Sequence, residues 1–250
     1  MNRFFVSPET LTAADVELDG PLSRRLRSVL RVRKGDIVVL LDGRGYEYEA
    51  VLEDVDGPAV RARVRERRPG LPEPPVDVVL YQSVIKGDRF DWVLEKGTEL
   101  GVTRFVPLIV ERSVVRPSSG SSARGERWQR IVTEAAEQCG RSRLPVVAPV
   151  SEFAEALTSS AGLCLLPWEE ESVLGLRAAL RQEVESLKAT ERPIVSLFIG
   201  PEGGFTEKEV RGARSRGVRV VSLGRRILRS ETAGIAAVAA VLYELGELGG

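Results

Sequence analysis

The 250-residue sequence contains no histidine. That absence removes serine–histidine–aspartate hydrolases, histidine-ligated metals and any histidine general base. Cysteine is scarce: Cys139 and Cys164 share no metal-ligand spacing and make a poor disulfide framework, so no metal site is expected. Net charge is missing too, because 36 Lys+Arg balance 36 Asp+Glu. A polyanionic partner would have to be met by a local patch. No apolar run nears the roughly 20 residues that cross a bilayer, and the opening MNRFFVSPET lacks the apolar stretch of a secretory signal. The expectation is a cytoplasmic protein with no membrane partner. Chemistry is left to carboxylates, arginines, lysines, hydroxyls, backbone groups or a cofactor.

What is present divides near residues 70–76. A composition of 43% hydrophobic and 29% charged residues can build a buried core, and the length suits two domains. Residues 1–70 read as a small β-rich unit. Apolar runs at Asp36–Leu41, Tyr46–Leu52 and Ala59–Val64 are separated by the turn signals Asp42-Gly43 and Asp56-Gly57-Pro58. That spacing suits a compact antiparallel barrel or sandwich. Pro21–Leu30 has helical spacing, with Leu22, Leu26, Val29 and Leu30 apolar. The proline-rich Arg68–Pro75 reads as a stiff connector without regular hydrogen bonding.

Residues 76–250 alternate strands with helices. Strands are expected at Val76–Ser83, Phe105–Val110, Gly162–Leu166, Ile194–Ile199 and Val218–Leu223. Helices are expected at Phe90–Leu100, Glu126–Gln138, Glu169–Leu187, Thr206–Arg216 and Ser230–Leu245. Gly101 closes the first helix, and Thr206 with Glu209 makes a capping box for the fourth. Nearly all-apolar strands alternating with helices mean an α/β fold with a parallel sheet covered on both faces. The Ser118–Ser122 run reads as a mobile loop.

In open α/β sheets ligands bind at the carboxyl ends of strands, and two such ends stand out. Ile199-Gly200-Pro201-Glu202-Gly203-Gly204-Phe205-Thr206 follows a strand and leads into a helix. Its glycines let backbone approach a ligand closely and expose N–H groups. The spacing is neither the dinucleotide GxGxxG nor a Walker loop. Taken alone, the turn fits a ligand cradle and a bare strand-to-helix connection equally well. The second end is Leu223-Gly224-Arg225-Arg226-Ile227-Leu228-Arg229-Ser230-Glu231-Thr232-Ala233. Ser230, Glu231 and Thr232 suit a helix cap, whereas Arg229, beside Ile227-Leu228 and a glutamate, is a charge a site would use. The small residues of Ala233–Val241 imply close packing against neighbouring backbone.

Together these two ends resemble the second and third motifs of the SPOUT methyltransferase superfamily. Further stretches resemble one family within it, the RsmE family of small-subunit ribosomal RNA (uridine-N3)-methyltransferases. They are Val29-Leu30-Arg31 with Lys34-Gly35-Asp36, Leu41-Asp42-Gly43, Glu95–Gly101, Glu111-Arg112-Ser113 and Glu137–Arg141. The resemblance implies a SPOUT domain with a trefoil knot made by the last helix, and a PUA-like N-terminal β-barrel that binds RNA. It implies S-adenosyl-L-methionine as cofactor, held by Leu166, Ile199, Gly200, Pro201, Glu202, Gly203, Leu223, Gly224, Ile227, Leu228 and Ala233. It also implies a homodimer acting on small-subunit (16S) ribosomal RNA, free or in the assembled 30S particle.

Methylating uridine N3 requires loss of the imide proton and stabilisation of the resulting anion. Without histidine the base is a carboxylate, water or the RNA itself. Glu231 is the candidate base or base-orienting group, with helix capping as its alternative role, and Arg229 the stabilising cation. Glu202 contacts cofactor or shapes the turn. RNA contact is expected from arginines: Arg3, Arg24, Arg25, Arg27 and Arg31 in the N-terminal unit, and Arg112, Arg116 and Arg141 beyond it. Arg61, Arg63, Arg65 and Arg67 alternate as the solvent face of a strand would. The family usually has a histidine and an arginine where this chain has Arg25 and Ser28, so a basic charge survives at Arg25 while any specific histidine contact is lost.

Overall fold

The computed structural model describes residues 1–116 and 122–248, which divide into two compact units. Residues 118–121 of the expected serine-rich loop lie outside the described residues.

The first unit comprises Met1–Glu73 and Ala136–Leu144. Strands β1 (Arg3–Phe5), β2 (Asp15–Leu18), β3 (Ile37–Leu41), β4 (Tyr46–Asp54) and β5 (Val60–Pro69) form one sheet in the order β1-β3-β4-β5-β2. Every pair is antiparallel except β1 with β3. Alternation along β3, β4 and β5 sends Val38, Leu40, Ala50, Leu52, Val60 and Ala62 into a core completed by Phe4, Leu18 and Leu26. Arg61, Arg63 and Arg65 stand exposed on the opposite face of β5, as period-2 geometry requires. A register shift at Glu49/Ala50 then pairs Arg67 with Tyr48 and seats its guanidinium over the Tyr46 ring, so the expected solvent face ends at Arg65.

Three features depart from the expectations. Strands β1 and β2, three and four residues long, are too short to carry a readable period. β5 continues into the expected connector, pairing Arg68 with Glu47 and Pro69 with Tyr46. A proline is tolerated there because it ends the strand. The expected helix is α1 (Gly20–Arg24) followed by a π-helical turn over Arg25–Val29, a geometry hydrophobic spacing does not distinguish.

Ala136–Leu144 joins this unit although it is remote in sequence. The Glu137 carboxylate accepts the Phe5 N–H at 3.1 Å and pairs with Arg25 at 2.7 Å. Gly45 N–H donates to Ser142 O, and Leu144 N–H to Gly43 O, each at 3.2 Å.

The second unit comprises Pro74–Ala135 and Pro145–Gly250. Its strands are β6 (Asp77–Ser83), β7 (Arg104–Ile109), β8 (Val146–Val147), β9 (Ser151–Glu152), β10 (Leu163–Pro167), β11 (Ile194–Ile199) and β12 (Arg219–Val221). They run in the order β12-β10-β11-β6-β7-β8, with β9 also on β7, and every pairing is parallel. The helices are α2 (Arg89–Leu100), α3 (Ser122–Cys139), α4 (Phe153–Ser159), α5 (Leu176–Ala189), α6 (Glu207–Arg214) and α7 (Ser230–Glu244); the last turn of α3 groups with the first unit.

Both faces of this sheet are covered. Tyr81, Val106, Leu108, Leu166, Phe198 and Val220 pack against Phe153 and Ala156 of α4 and Val210 and Ala213 of α6, with Tyr81 stacked on Phe198 at 4.4 Å. On the other face a Cβ at Gly97 of α2 would fall 2.7 Å from the Phe105 ring, so α2 lies directly on β7. The Thr206–Glu209 capping box is present, and α2 ends at Gly101 in the left-handed conformation. No helix among the described residues is long and apolar enough to cross a membrane.

The helix expected from Glu169 starts only at Leu176. Glu171 takes the Val173 N–H at 2.7 Å and the Leu174 N–H at 3.3 Å on its carboxylate. Those backbone donors are thereby satisfied in a loop instead of a helix.

Gly162, entering β10, has φ 69°, and a Cβ there would lie 2.0 Å from the Ile194 carbonyl oxygen on β11. Gly162→Ala therefore meets both left-handed strain and a backbone clash. It is expected to cost at least about 2 kcal/mol, read as a lower denaturant midpoint; an unchanged midpoint would refute the close approach.

Candidate functional site

β10, β11 and β12 end at one edge of the sheet, where their following loops enclose a cavity of about 750 Å³. It lies where ligands sit in α/β sheets, within the ordinary size of small-molecule sites. Ile199, Gly200, Pro201, Glu202, Gly203, Leu223, Gly224, Ile227, Leu228 and Ala233 all line it, and so does Arg229. Two turns separated by α6 and β12 thus converge on one space. Leu166 does not line it; its side chain is fully buried in the core, one residue before the lining Pro167.

The floor is held by a buried hydroxyl. Ser230 donates to the Gly200 carbonyl and accepts from Gln82 Nε2 at 2.9 Å, tying the end of β6, the turn after β11 and the first turn of α7. The expected cap is therefore not formed: Arg229 is the N-cap residue, and no side chain caps the helix by a hydrogen bond. Gly234 makes the contact possible, since a Cβ there would fall 2.5 Å from Gln82 Oε1.

The Gly200–Phe205 turn is braced from outside. Arg112 Nη1 donates to the Gly203 carbonyl at 2.8 Å, and Glu209 Oε1 accepts the Glu111 N–H at 2.8 Å. Gly204 has φ 66°, and a side chain there would strike the Glu169 carboxylate. Arg112, expected to contact RNA, has its guanidinium engaged with this turn. Arg116, exposed, donates to the Val110 and Glu111 carbonyls.

Arg229 is exposed, and its guanidinium has no hydrogen-bond or ion-pair partner among the described residues. Glu231 does not line the cavity; its side chain is only 12% exposed. Sequence reading misses Arg89, which does line the cavity and pairs with Glu202 at 3.1 Å. The available signal is its place just after the carboxyl end of β6, in Lys86-Gly87-Asp88-Arg89. Trp168 is missed as well: it lines the cavity with its indole Nε1 buried and unpartnered. An orphaned donor beside glycine-rich backbone suits a polar ligand with acceptor atoms.

In the first unit the basic residues fall into two sets. Arg24 and Arg31 are exposed, Arg31 at φ 53°. Arg25 is exposed, paired with Glu137 and seated over the Phe4 ring; Arg27 donates to the Ser23, Gly57 and Pro58 carbonyls. Arg3 pairs with the buried Glu47. Arg141 is buried against Glu73, its side chain 11% exposed.

With this geometry in place, two family descriptions match the chain: an RNA methyltransferase domain over residues 72–242 and an RNA methyltransferase PUA domain over residues 19–65. The chain is 39% identical to ribosomal RNA small subunit methyltransferase E of Synechocystis, over 96% of this chain and 76% of that protein. It is 34% identical to the Bacillus subtilis protein of the same name, over 98% and 97%. A crystal structure of the Neisseria gonorrhoeae protein of that name, bound to S-adenosyl methionine, is similar with a TM-score of 0.83 and 34% identity, covering 97% of each chain.

The loop beside the cavity supplies a pH test. Backbone N–H of Val173, with Leu174 N–H and Arg214, holds the Glu171 carboxyl below its ordinary value of 4.5. A depressed carboxylate stabilises the fold above the unfolded value, and that contribution is lost as pH falls through the lower folded value. Glu171→Gln should cost about 1 kcal/mol at neutral pH, and melting curves should converge with the parent's in acid below 4.5. A difference independent of pH would contradict the assignment.

Proposed function

The chain belongs to the family of ribosomal RNA small subunit methyltransferase E, and from that membership we propose that it methylates N3 of a uridine in small-subunit ribosomal RNA, using S-adenosylmethionine. The observation that carries the reading is the shared cavity formed by the strand-end turns, with the Arg229 guanidinium, without a partner among the described residues, on its wall.

When bound, the cofactor supplies an electrophilic methyl group on a sulfonium. The residues to hold it are those of Ile199–Gly203, Leu223-Gly224, Ile227-Leu228 and Ala233, largely through backbone groups, since glycine and apolar positions dominate the lining. Trp168 Nε1 offers a further donor. The chain's own task is at the uracil, whose N3 proton would leave to water and whose resulting anion must be held facing the methyl donor. Arg229 stabilises the negative charge that develops over N3 and its flanking carbonyls.

The exposed cluster of Arg24, Arg31, Arg33 and Lys34 is the RNA-contacting surface of the first unit in this reading. A homodimer, a substrate in the assembled 30S particle and a cytoplasmic location also belong to it. So does the trefoil knot, supported by the packing of α7 on α2, α5, β6 and β11 and by the Ser230 bridge to Gly200.

Two outcomes are expected. Arg229→Ala lowers the single-turnover rate by about 100-fold or more while cofactor affinity in calorimetry stays within a few-fold; an unchanged rate refutes the role. Replacing Arg24 and Arg31 by alanine weakens RNA binding and reduces the salt slope by about 1 per arginine; a slope equal to the parent's places the RNA elsewhere. Nucleoside mass spectrometry of the product decides the position methylated.

A further inference from the structure

Glu231 is the only carboxylate next to Arg229 in sequence, yet its place in the structure does not suit a base. Its side chain is only 12% exposed, and it is absent from the cavity wall, which Arg89 forms instead. Glu231 Oε2 is buried without a hydrogen-bond partner, and the group nearest to neutralising it is Arg89 Nη1 at 4.0 Å. The opposite arm of the same guanidinium, Nη2, meets Glu202 Oε1 at 3.1 Å. Its Nε donates to the Lys86 carbonyl at 3.2 Å.

Arg89 is thus bonded at two points, the loop before α2 and the turn after β11, while the Glu231 carboxylate on the first turn of α7 faces its third arm at 4.0 Å. At 40% exposure it still has N–H groups to offer, because a guanidinium carries five. A cation fixed this way needs no reorganisation when charge appears beside it, which is the condition for electrostatic catalysis. A guanidinium paired this way keeps its direction.

We propose that Arg89 is a second substrate-facing catalytic cation, and that Glu231 with Glu202 are the positioning residues that aim it, Glu231 not being the base. The inference rests on the uridine-N3 reading. Deprotonated uracil carries negative charge on N3 and on a carbonyl oxygen to either side of it. Two guanidinium groups, Arg89 from α2 and Arg229 from the start of α7, would make the weakly acidic imide easier to ionise. The proton then passes to water, as a chain without histidine permits. The other charged groups on the cavity wall are Glu169, Glu202, Arg225 and Arg226, so cations outnumber carboxylates around the anion.

The test compares the parent with Arg89→Met, Arg89→Lys and Glu231→Gln on the RNA substrate, under single-turnover conditions across neutral to alkaline pH. Cofactor affinity and melting temperature are measured alongside. Arg89→Met should lose about 100-fold in rate at neutral pH and recover much of it in alkali, where the imide ionises unaided. Arg89→Lys should retain an intermediate rate. Glu231→Gln, which can still meet Arg89, should lose less than about 10-fold and keep its pH profile. A profile for Arg89→Met parallel to the parent's overturns the proposal, as does a loss accounted for by cofactor affinity. So does a Glu231→Gln enzyme inactive at every pH, because that is the signature of a base. If the parent's product is not N3-methyluridine the broader reading fails first; if it is, and the variants disobey, only the role of Arg89 falls.

Discussion

The candidate site depends on one buried hydroxyl. Ser230 lies between Gln82 and the Gly200 carbonyl, and those three residues belong to β6, to the turn after β11 and to α7. A buried carbonyl and a buried amide each need a partner, and one hydroxyl serves both because it can donate and accept at once. The contact requires α7 to lie almost against the sheet, which Gly234 allows and a side chain would block. From this junction the rest follows. Arg229 precedes Ser230 and is carried onto the cavity wall, while Glu231 follows it and is turned behind Arg89.

The balanced net charge has a structural counterpart. Many arginines spend their charge on buried or half-buried carboxylates: Arg3 and Arg68 on Glu47, Arg25 on Glu137, Arg141 on Glu73. Such pairs organise the first unit, because a buried carboxylate without its cation would be costly. Arg24, Arg31 and Arg229 have no such carboxylate partner among the described residues. Count alone therefore says little about nucleic-acid binding in this chain, whereas the pairing of each arginine says a good deal.

Much of this was legible in the residues. Apolar strands alternating with helices specify the parallel sheet, and the glycine-rich strand ends mark the loops that form the cavity. Other parts have no local signature. β1 and β2 are shorter than one readable period, and the helix expected at Glu169 yields to Glu171 holding two backbone N–H groups in a loop. The membership of Ala136–Leu144 in the first unit depends on Glu137 meeting Phe5 and Arg25, contacts across more than a hundred residues of chain. Tertiary pairing decided these cases, and periodicity has no access to it.

Arg89 illustrates the same limit at the site. In the sequence it is the first residue of an amphipathic helix, a position where arginine is ordinarily solvated and slightly unfavourable against the helix dipole. In the structure that disadvantage is offset by Glu202, from the turn after β11 at 3.1 Å, and by Glu231, from the first turn of α7 at 4.0 Å. A cation placed against its own helix, paired with one acid and faced by a second, is difficult to explain as surface decoration. Under the proposed uridine-N3 chemistry the absence of histidine makes it intelligible: with no neutral imidazole to take a proton at the cavity wall, the chain concentrates fixed positive charge beside the proposed anion.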